Sequence, residues 1–319
     1  MVRQWLKCKQ KGVFLDNTTF CTAFLSDGSL LTIRDIPIVD LRDVDKIAFN
    51  PTGSSLALMR GKKPVSIYSF RDRNKKLFEL KEQRKSKELK GRKNLNFFVP
   101  GPVGAELMKD ASKGDIVPVA MCYGADARNF LVSNSLGEII VYDTKAYLPQ
   151  AYIQGKAVAT AITMSPNNYF IAAGTGKNID IWNFQTKELR TSLPMPAEVT
   201  ELVFSADASQ MAVVTTDKRL TIFDTKTWDK VDIFNKIGVT LTSPSFHPDG
   251  KYISVVKDGN AIVIMNLKNS VPEQTLDENP GGVTGSRFFV NKQTSDVFML
   301  SNRAKGLVFW DANGLNPFF

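Results

Sequence analysis

The chain has 319 residues, of which 43% are hydrophobic, and 41 lysines and arginines against 32 aspartates and glutamates give it a net charge of +9. This apolar share is enough for a large core, and no run of about 18 apolar residues exists that could span a bilayer. Three cysteines without metal-ligand spacing and a single histidine, His247, exclude a disulfide framework and a metal site built on two histidines.

The first 81 residues alternate short apolar runs with polar turns. The N-terminal segment MVRQWLKCKQ lacks the apolar stretch of a signal peptide, so the chain is expected to be soluble. Its compartment stays open: cytoplasmic, or periplasmic or secreted if a signal peptide has been removed. Two groups of four short strands follow, at about 12–41 and 43–81, and we label the strands of each group a to d in chain order.

A basic and then apolar insertion interrupts this pattern at 82–115. Residues 71–94 hold eleven lysines and arginines and four carboxylates, a net of +7, but the part up to Lys81 belongs to the c–d hairpin of the second group. The remainder makes this connection about 30 residues longer than the same connection elsewhere, well beyond ordinary loop lengths. From Glu82 to Lys93 the insertion is basic, and NLNFFVPGPVGAELM after it is apolar.

The four-strand unit then recurs to the end of the chain. The further units lie at about 116–154, 155–194, 196–236, 238–277 and 282–319. Their third strands end on Asp143, Asn183, Asp224, Asn266 and Asp311, at spacings of 40, 41, 42 and 45 residues. These polar residues are predicted to cap the next turn through side-chain-to-backbone hydrogen bonds. Trp182 and Trp310, on third strands, are predicted to pack between units.

Four short antiparallel strands repeated about every 40 residues predict propeller blades. We therefore predict an all-β fold, a seven-bladed β-propeller of four-stranded antiparallel blades that forms one domain over 1–319. The last unit breaks off after its third strand, and residues 2–8 remain unassigned. A strand at 2–8 is predicted to complete the last blade, which would close the ring and remove a sheet edge.

The chain resembles WD-repeat β-propellers in several motifs. The resemblance rests on the strand endings IWN, IFD and FWD and on the turns FNPTG, MSPNN and FHPDG. The chain departs from the family because no unit has the Gly-His dipeptide and only FWD, at 309–311, keeps Trp-Asp at the end of a third strand. Without that histidine, the buried tetrad typical of the family is not expected.

One face of the propeller is predicted to be basic, because the b–c turns and the d–a connections share a face. The candidate partner-binding residues on it are Lys62, Lys63, Arg84, Lys85, Lys87, Lys90, Arg92, Lys93, Lys177, Lys218, Arg219, Lys257, Arg303 and Lys305. Further candidate contacts are Phe97 and Phe98 in the insertion and Trp228 at a c–d turn on the opposite face. For 82–93 the alternative is a solvated, frayed helix or disordered loop, and for the two phenylalanines docking onto the propeller is favoured over contact with a partner.

These features predict a non-catalytic scaffold that binds a protein partner, and an acidic partner fits the charge of the face. No catalytic residue, cofactor or metal is assigned, since His247 lies in a turn without an acid partner and AAGTGKN precedes a strand instead of a helix. Two alternatives stay open. One is a ligand-binding, glycan-binding or enzymatic propeller that uses the central channel.

The other alternative is nucleic-acid binding through the basic face. It is less favoured, because residues 82–93 contain no aromatic side chain for base stacking and are mostly lysine. The abrupt ending GLNPFF also raises the expectation of a further domain after Phe319.

Overall fold

A computed structural model describes most of the chain and shows only β-strands there. The described residues are 21–24, 30–33, 44–52, 54–69, 76–80, 116–217, 219–234, 240–276, 282–290, 295–303 and 306–312. No helix long and apolar enough to cross a membrane occurs within these ranges. They contain 25 strands in seven antiparallel sheets, and the strands of each sheet follow one another along the chain.

The first four sheets contain fourteen strands. The first sheet comprises β1 (Cys21–Phe24) and β2 (Leu30–Ile33). The second comprises β3 (Lys46–Phe49), β4 (Ser55–Met59), β5 (Val65–Ser69) and β6 (Lys76–Leu80). The third comprises β7 (Pro118–Tyr123), β8 (Asn129–Asn134), β9 (Glu138–Asp143) and β10 (Pro149–Gln154). The fourth comprises β11 (Ala161–Met164), β12 (Phe170–Thr175), β13 (Asn178–Asn183) and β14 (Leu189–Pro194).

The last three sheets continue the same order. The fifth comprises β15 (Val199–Phe204), β16 (Gln210–Thr215), β17 (Leu220–Asp224) and β18 (Lys230–Phe234). The sixth comprises β19 (Leu241–Phe246), β20 (Tyr252–Lys257), β21 (Ala261–Asn266) and β22 (Val271–Leu276). The seventh comprises β23 (Val283–Val290), β24 (Val297–Arg303) and β25 (Gly306–Asp311).

The predicted all-β class and the four-stranded antiparallel units are confirmed. Five of the described sheets have four strands paired in the order a, b, c, d, each joined to the next by a short hairpin. Residues 2–8 and the insertion at 82–115 lie outside the described ranges. Closure into a ring of seven blades, and the role of residues 2–8 in it, therefore stay predictions.

The sheets stand side by side through their first strands. β3 packs against β7, and the contact repeats from β7 to β11, β15, β19 and β23 in turn. We call these six strands the inner wall, and the side that they turn away from their own sheets the axial side. Second strands such as β12 are buried along nearly their whole length because a neighbouring sheet covers each face.

The fourth strands form the outer edges of the sheets and carry polar residues and prolines. Residues of β14 alternate between exposed and half-buried, and β6 is mostly exposed. Pro149 and Pro272 lie in the edge strands β10 and β22, where a missing N–H costs no ladder hydrogen bond. These features protect exposed edges from pairing with other chains.

The hydrophobic core is divided into clusters between neighbouring sheets. Trp182 packs with Ile162 of its own sheet and with Leu131 and Val141 of the third sheet. Trp310 packs with residues of the sixth sheet in the same way. Both indoles are buried, so the predicted packing of these two tryptophans between units is confirmed.

Polar residues at the ends of third strands cap the c–d turns. Asp224 Oδ1 accepts hydrogen bonds from the backbone N–H groups of Lys226 at 2.7 Å and Thr227 at 3.0 Å. Equivalent bonds are accepted in the other turns by Asp143, Asn183 and Asn266. The predicted caps are confirmed at these four positions, and the Asp311 side chain lies outside the described part.

The cap at Asp224 should make stability depend on pH in the acid range. Hydrogen bonds from the backbone N–H groups of Thr227 and Lys226 lower the pKa of Asp224. A lowered folded-state pKa stabilises the fold above the unfolded value of about 3.9, and this stabilisation is lost as the pH falls through the folded-state value. We expect Asp224→Ala to lower the free energy of unfolding by about 1 kcal/mol at neutral pH.

The measurement is urea unfolding of both proteins at neutral pH and at several acid pH values. The difference between Asp224→Ala and the wild type should shrink below about pH 4. Lys268→Ala is the control, because Lys268 occupies the equivalent turn of the sixth sheet and its exposed side chain makes no cap. A difference of constant size at all pH values would contradict the carboxylate as its source.

Candidate interaction face

The b–c turns are tied by backbone hydrogen bonds to the chain that enters the next sheet. After β12, Gly176 O accepts a bond from Val199 N at 2.9 Å, and Lys177 O accepts one from Met195 N at 2.8 Å. Similar bonds run from Gly155 N to Gly137 O at 2.8 Å and from Val283 N to Gly259 O at 2.6 Å. The b–c turns and the d–a connections therefore lie on one face, which we call the b–c face.

One of these ties requires two glycines. Gly137 has φ of +76°, a left-handed conformation that residues with a Cβ adopt at a cost. A Cβ at Gly155 would lie 2.8 Å from the carbonyl oxygen of Gly137, closer than atoms can approach without moving the backbone. The close contact between the two connections of the third sheet thus depends on glycine at both positions.

The structure describes five of the predicted candidate residues with their side chains. Lys62, Lys63, Lys177 and Arg219 are exposed on b–c turns, and Lys257 is half-buried at the end of β20. Arg303 ends β24, but its side chain lies outside the described part. The other candidates also lie outside it: Arg84, Lys85, Lys87, Lys90, Arg92, Lys93, Phe97, Phe98, Lys218 and Lys305.

The carboxylates of the b–c face are bound locally. Asp217 Oδ2 lies 2.9 Å from Arg219 Nε, so this arginine is paired within its own turn. Asp258 Oδ1 accepts a hydrogen bond from Thr240 N at 2.8 Å, and Asp45 Oδ2 accepts one from Gly61 N. These bonds hold Asp258 and Asp45 against the backbone and Asp217 against the arginine of its own turn.

The three exposed lysines described on the b–c turns are unpaired within the described part of the chain. The ammonium groups of Lys62, Lys63 and Lys177 form no hydrogen bond or ion pair with any described residue. From the sequence they are equivalent to Arg219 as positive charges. The structure separates them, because pairing depends on how each turn places its own carboxylate.

Charged residues on the d–a connections are missing from the sequence-based prediction. Lys156 and Glu198 are exposed on d–a connections, next to the chain segments that bond the b–c turns. The sequence was sufficient to predict them, because the topology that places the b–c turns on this face also places the d–a connections there. The prediction drew its charges from the b–c turns and the insertion alone.

Trp228 is a core residue, and its expected exposure on the opposite face was wrong. Its side chain is 8% exposed, and its indole meets the Phe170 ring edge-on at a centroid distance of 5.1 Å. The backbone at Trp228 has φ of +64°, which directs the side chain from the c–d turn toward the preceding sheet. This aromatic contact between sheets leaves no accessible indole to anchor a partner.

Comparison with known proteins gives distant relatives, and no family model matches the chain. Echinoderm microtubule-associated protein-like 2 of Rattus norvegicus is 24% identical over 147 residues, which are 45% of this chain and 22% of that protein. The protein of the same name from Mus musculus is 23% identical over 146 residues, 44% of this chain and 22% of that protein. Periodic tryptophan protein 2 homolog of Schizosaccharomyces pombe is 24% identical over 166 residues, 49% of this chain and 18% of that protein.

These relatives are WD-repeat proteins. This chain is a divergent relative of them. The resemblance predicted from the strand endings and turns is confirmed. The matched segments span less than a quarter of the length of each curated relative.

The Trp-Asp motif that ends β25 keeps a buried hydrogen bond. Trp310 Nε1 donates to Ser301 Oγ at 2.9 Å, between the third and second strands of the seventh sheet. The bond fixes the indole in the contact with the sixth sheet. It persists in a chain that lacks the Gly-His dipeptide of the family.

The single histidine of this chain, His247, lies in an a–b turn. Its Nδ1 lies 2.7 Å from Asp249 Oδ1, so the expected absence of an acid partner for His247 was wrong. The imidazole is buried and meets the rings of Tyr252 and Phe288 edge-on, at centroid distances of 5.9 and 5.1 Å. These contacts confirm His247 as a turn residue held in the core.

Proposed function

We propose that this chain is a non-catalytic scaffold that binds an acidic protein partner through the b–c face. The observation that carries the proposal is a set of three exposed ammonium groups on b–c turns, those of Lys62, Lys63 and Lys177, which have no partner among the described residues. WD-repeat relatives are scaffold-type proteins in general, which supports protein binding as the role. The insertion at 82–115 would add its basic residues to the same face.

Rigid turns favour recognition because little conformational entropy is lost when a partner binds. The b–c turn that carries Lys177 is held by two backbone hydrogen bonds, from Met195 and Val199. Only the lysine side chain has to be ordered on binding. The unpaired charges would also speed encounter with a negatively charged surface at low ionic strength.

The non-catalytic part of the proposal is supported by the chemistry of the described sites. Glu201 is the one carboxylate in the six strands of the inner wall, so paired carboxylates do not converge there. No group of three or more metal-ligating side chains occurs in the residues that the structure covers. His247 is enclosed in its turn and reaches no open site.

A charge-reversal experiment tests the b–c face. The variant Lys62→Glu, Lys63→Glu, Lys177→Glu reverses three charges on that face. The control Lys145→Glu, Lys226→Glu, Lys268→Glu makes the same change on exposed c–d turns of the opposite face. Binding to immobilised poly-glutamate, a mimic of an acidic protein segment, is measured by biolayer interferometry at several salt concentrations.

We expect the b–c variant to bind at least about tenfold more weakly than the control, since charge pairs at an interface contribute more than distant charges. Equal losses in both variants would show that only net charge matters and would refute the proposal. Strong binding of duplex DNA that the b–c variant loses, without binding of poly-glutamate, would instead favour the nucleic-acid alternative.

A further inference from the structure

The inner wall carries a guanidinium group, that of Arg287, which has no hydrogen-bond or ion-pair partner among the described residues. Arg287 lies on β23 between Ser286 and Phe288, both of which are buried, whereas the Arg287 side chain is accessible to solvent. No described residue lies within hydrogen-bonding or ion-pairing distance of it. The guanidinium has five N–H donors in a planar fork, and it stays charged at all ordinary pH values.

A hydrogen-bond network connects Arg287 with two neighbouring sheets. Both carboxylate oxygens of Glu201 on β15 accept from Ser243 N on β19, at 3.0 and 3.1 Å. Ser243 Oγ in turn accepts from Ser286 N at 3.2 Å and lies 3.3 Å from Ser286 O. The chain continues directly to Arg287, so three consecutive inner-wall strands bring Glu201 and Arg287 toward the same region.

The charges of Glu201 and Arg287 act on each other across the sixth sheet. Burial lowers the pKa of Arg287, and the Glu201 carboxylate opposes that shift. Burial raises the pKa of Glu201, and the Ser243 hydrogen bond and the Arg287 charge oppose it. In the inner wall, β15 and β23 are the strands on either side of β19. Arg287 is thus reachable by solvent and yet surrounded by enough protein to be partly desolvated.

The other cation of the inner wall, Lys46, has hydrogen-bond acceptors within reach. Lys46 on β3 donates from Nζ to Val119 O and to Thr160 O, both at 3.0 Å. These carbonyls belong to the two following sheets, so the hydrogen bonds of this lysine connect three sheets. Arg287 has no such acceptors among the described residues, although an arginine fork could reach several.

We propose that Arg287 is the anchor of an oxyanion-binding site on the axial side of the inner wall. A carboxylate or phosphate group matches the planar fork with two parallel hydrogen bonds. The surrounding protein strengthens such a pair relative to one at an open surface. The site is separate from the b–c face and does not depend on the proposed scaffold function.

Two probes test the site and distinguish a small free anion from an acidic side chain. Inorganic phosphate and a hexaglutamate peptide are titrated at constant ionic strength, and binding is followed by isothermal calorimetry and by the melting temperature. Arg287→Gln removes the charge, and Arg287→Lys keeps the charge but loses the fork. Arg128→Gln is the matched control, because Arg128 is an exposed arginine on an a–b turn.

We expect Arg287→Gln to weaken binding about ten- to a hundredfold, as the loss of a charge-assisted hydrogen bond would. Arg287→Lys should give an intermediate loss, and Arg128→Gln should bind like the wild type. Glu201→Gln should bind more tightly, because it removes the opposing negative charge. Binding of hexaglutamate above phosphate would identify an acidic side chain as the ligand, and phosphate alone would identify a small anion.

The proposal is overturned if neither probe binds the wild type beyond the effect of chloride at equal ionic strength. It is also overturned if Arg287→Gln and Arg128→Gln bind equally well. Loss of poly-glutamate binding in the b–c variant, with phosphate binding intact, would leave this site standing. The two proposals can therefore fail separately.

Discussion

Replacing Trp310 with alanine is expected to lower the free energy of unfolding by about 3–5 kcal/mol, as truncation of a buried tryptophan does. The indole is 5% exposed and packs with Tyr252 and Ile264 of the sixth sheet and Met299 of its own. Its removal leaves a cavity between two sheets that the neighbouring strands cannot close without losing their ladders. Urea unfolding followed by circular dichroism measures the loss.

A second substitution separates the packing of the indole from its hydrogen bond. Trp310→Phe removes the bond to Ser301 Oγ and should cost about 1 kcal/mol beyond the change in volume. Trp228 supplies the matched control, because it is also buried but its Nε1 has no hydrogen-bond partner in the described structure. Trp228→Phe should therefore cost less than Trp310→Phe, and equal losses would contradict the importance of the hydrogen bond.

A Gly174→Ala variant is expected to lose about 1–3 kcal/mol, the cost of overpacking a core. A Cβ at Gly174 of β12 would lie 2.7 Å from Val199 Cγ1 and 2.9 Å from Val199 Cβ of the next sheet. Val199 is buried and cannot move away, since its backbone N–H is bonded to Gly176 O. The close approach of the fourth and fifth sheets thus excludes even one methyl group.

A double-mutant cycle tests this explanation. Val199→Ala creates space opposite Gly174. The double variant should therefore lose about 1 kcal/mol less free energy of unfolding than the two single variants lose together. Gly176→Ala is the control, because no atom lies within 4 Å of its Cβ position and its cost comes from φ of +65°. Val199→Ala should not relieve that cost. Additive losses at Gly174 would show that contact with Val199 is not the cause.

Much of the fold could be predicted because its signals are local. Short alternating runs, turn residues and the polar residue at the end of each third strand all act within about ten positions of one another. The cap made by Asp224 involves only the next three residues, so one repeat is enough to predict it. Because the same strands and turns recur about every 40 residues, each unit supports the assignment of the others.

Trp228 was misassigned because its partner belongs to another sheet, whereas the acid partner of His247 lies two residues further along the same turn. Trp228 looks exposed in its own turn and becomes buried because Phe170, on β12, meets it. His247 pairs with a nearby carboxylate, Asp249, but its burial depends on Phe288 of the seventh sheet. No local pattern predicts the contacts with Phe170 and Phe288, since they depend on how adjacent sheets stack.

By itself the sequence determined the class of fold, the four-strand unit and the capped turns, because these follow from interactions between residues close along the chain. Only the tertiary structure decided which charges are free. Arg219 is paired with Asp217, and Lys46 donates hydrogen bonds to two carbonyls. Arg287 is unpaired among the described residues. The physical reason is that a charge is neutralised or left open by the groups that packing brings beside it, and for Lys46 and Arg287 those groups come from neighbouring sheets.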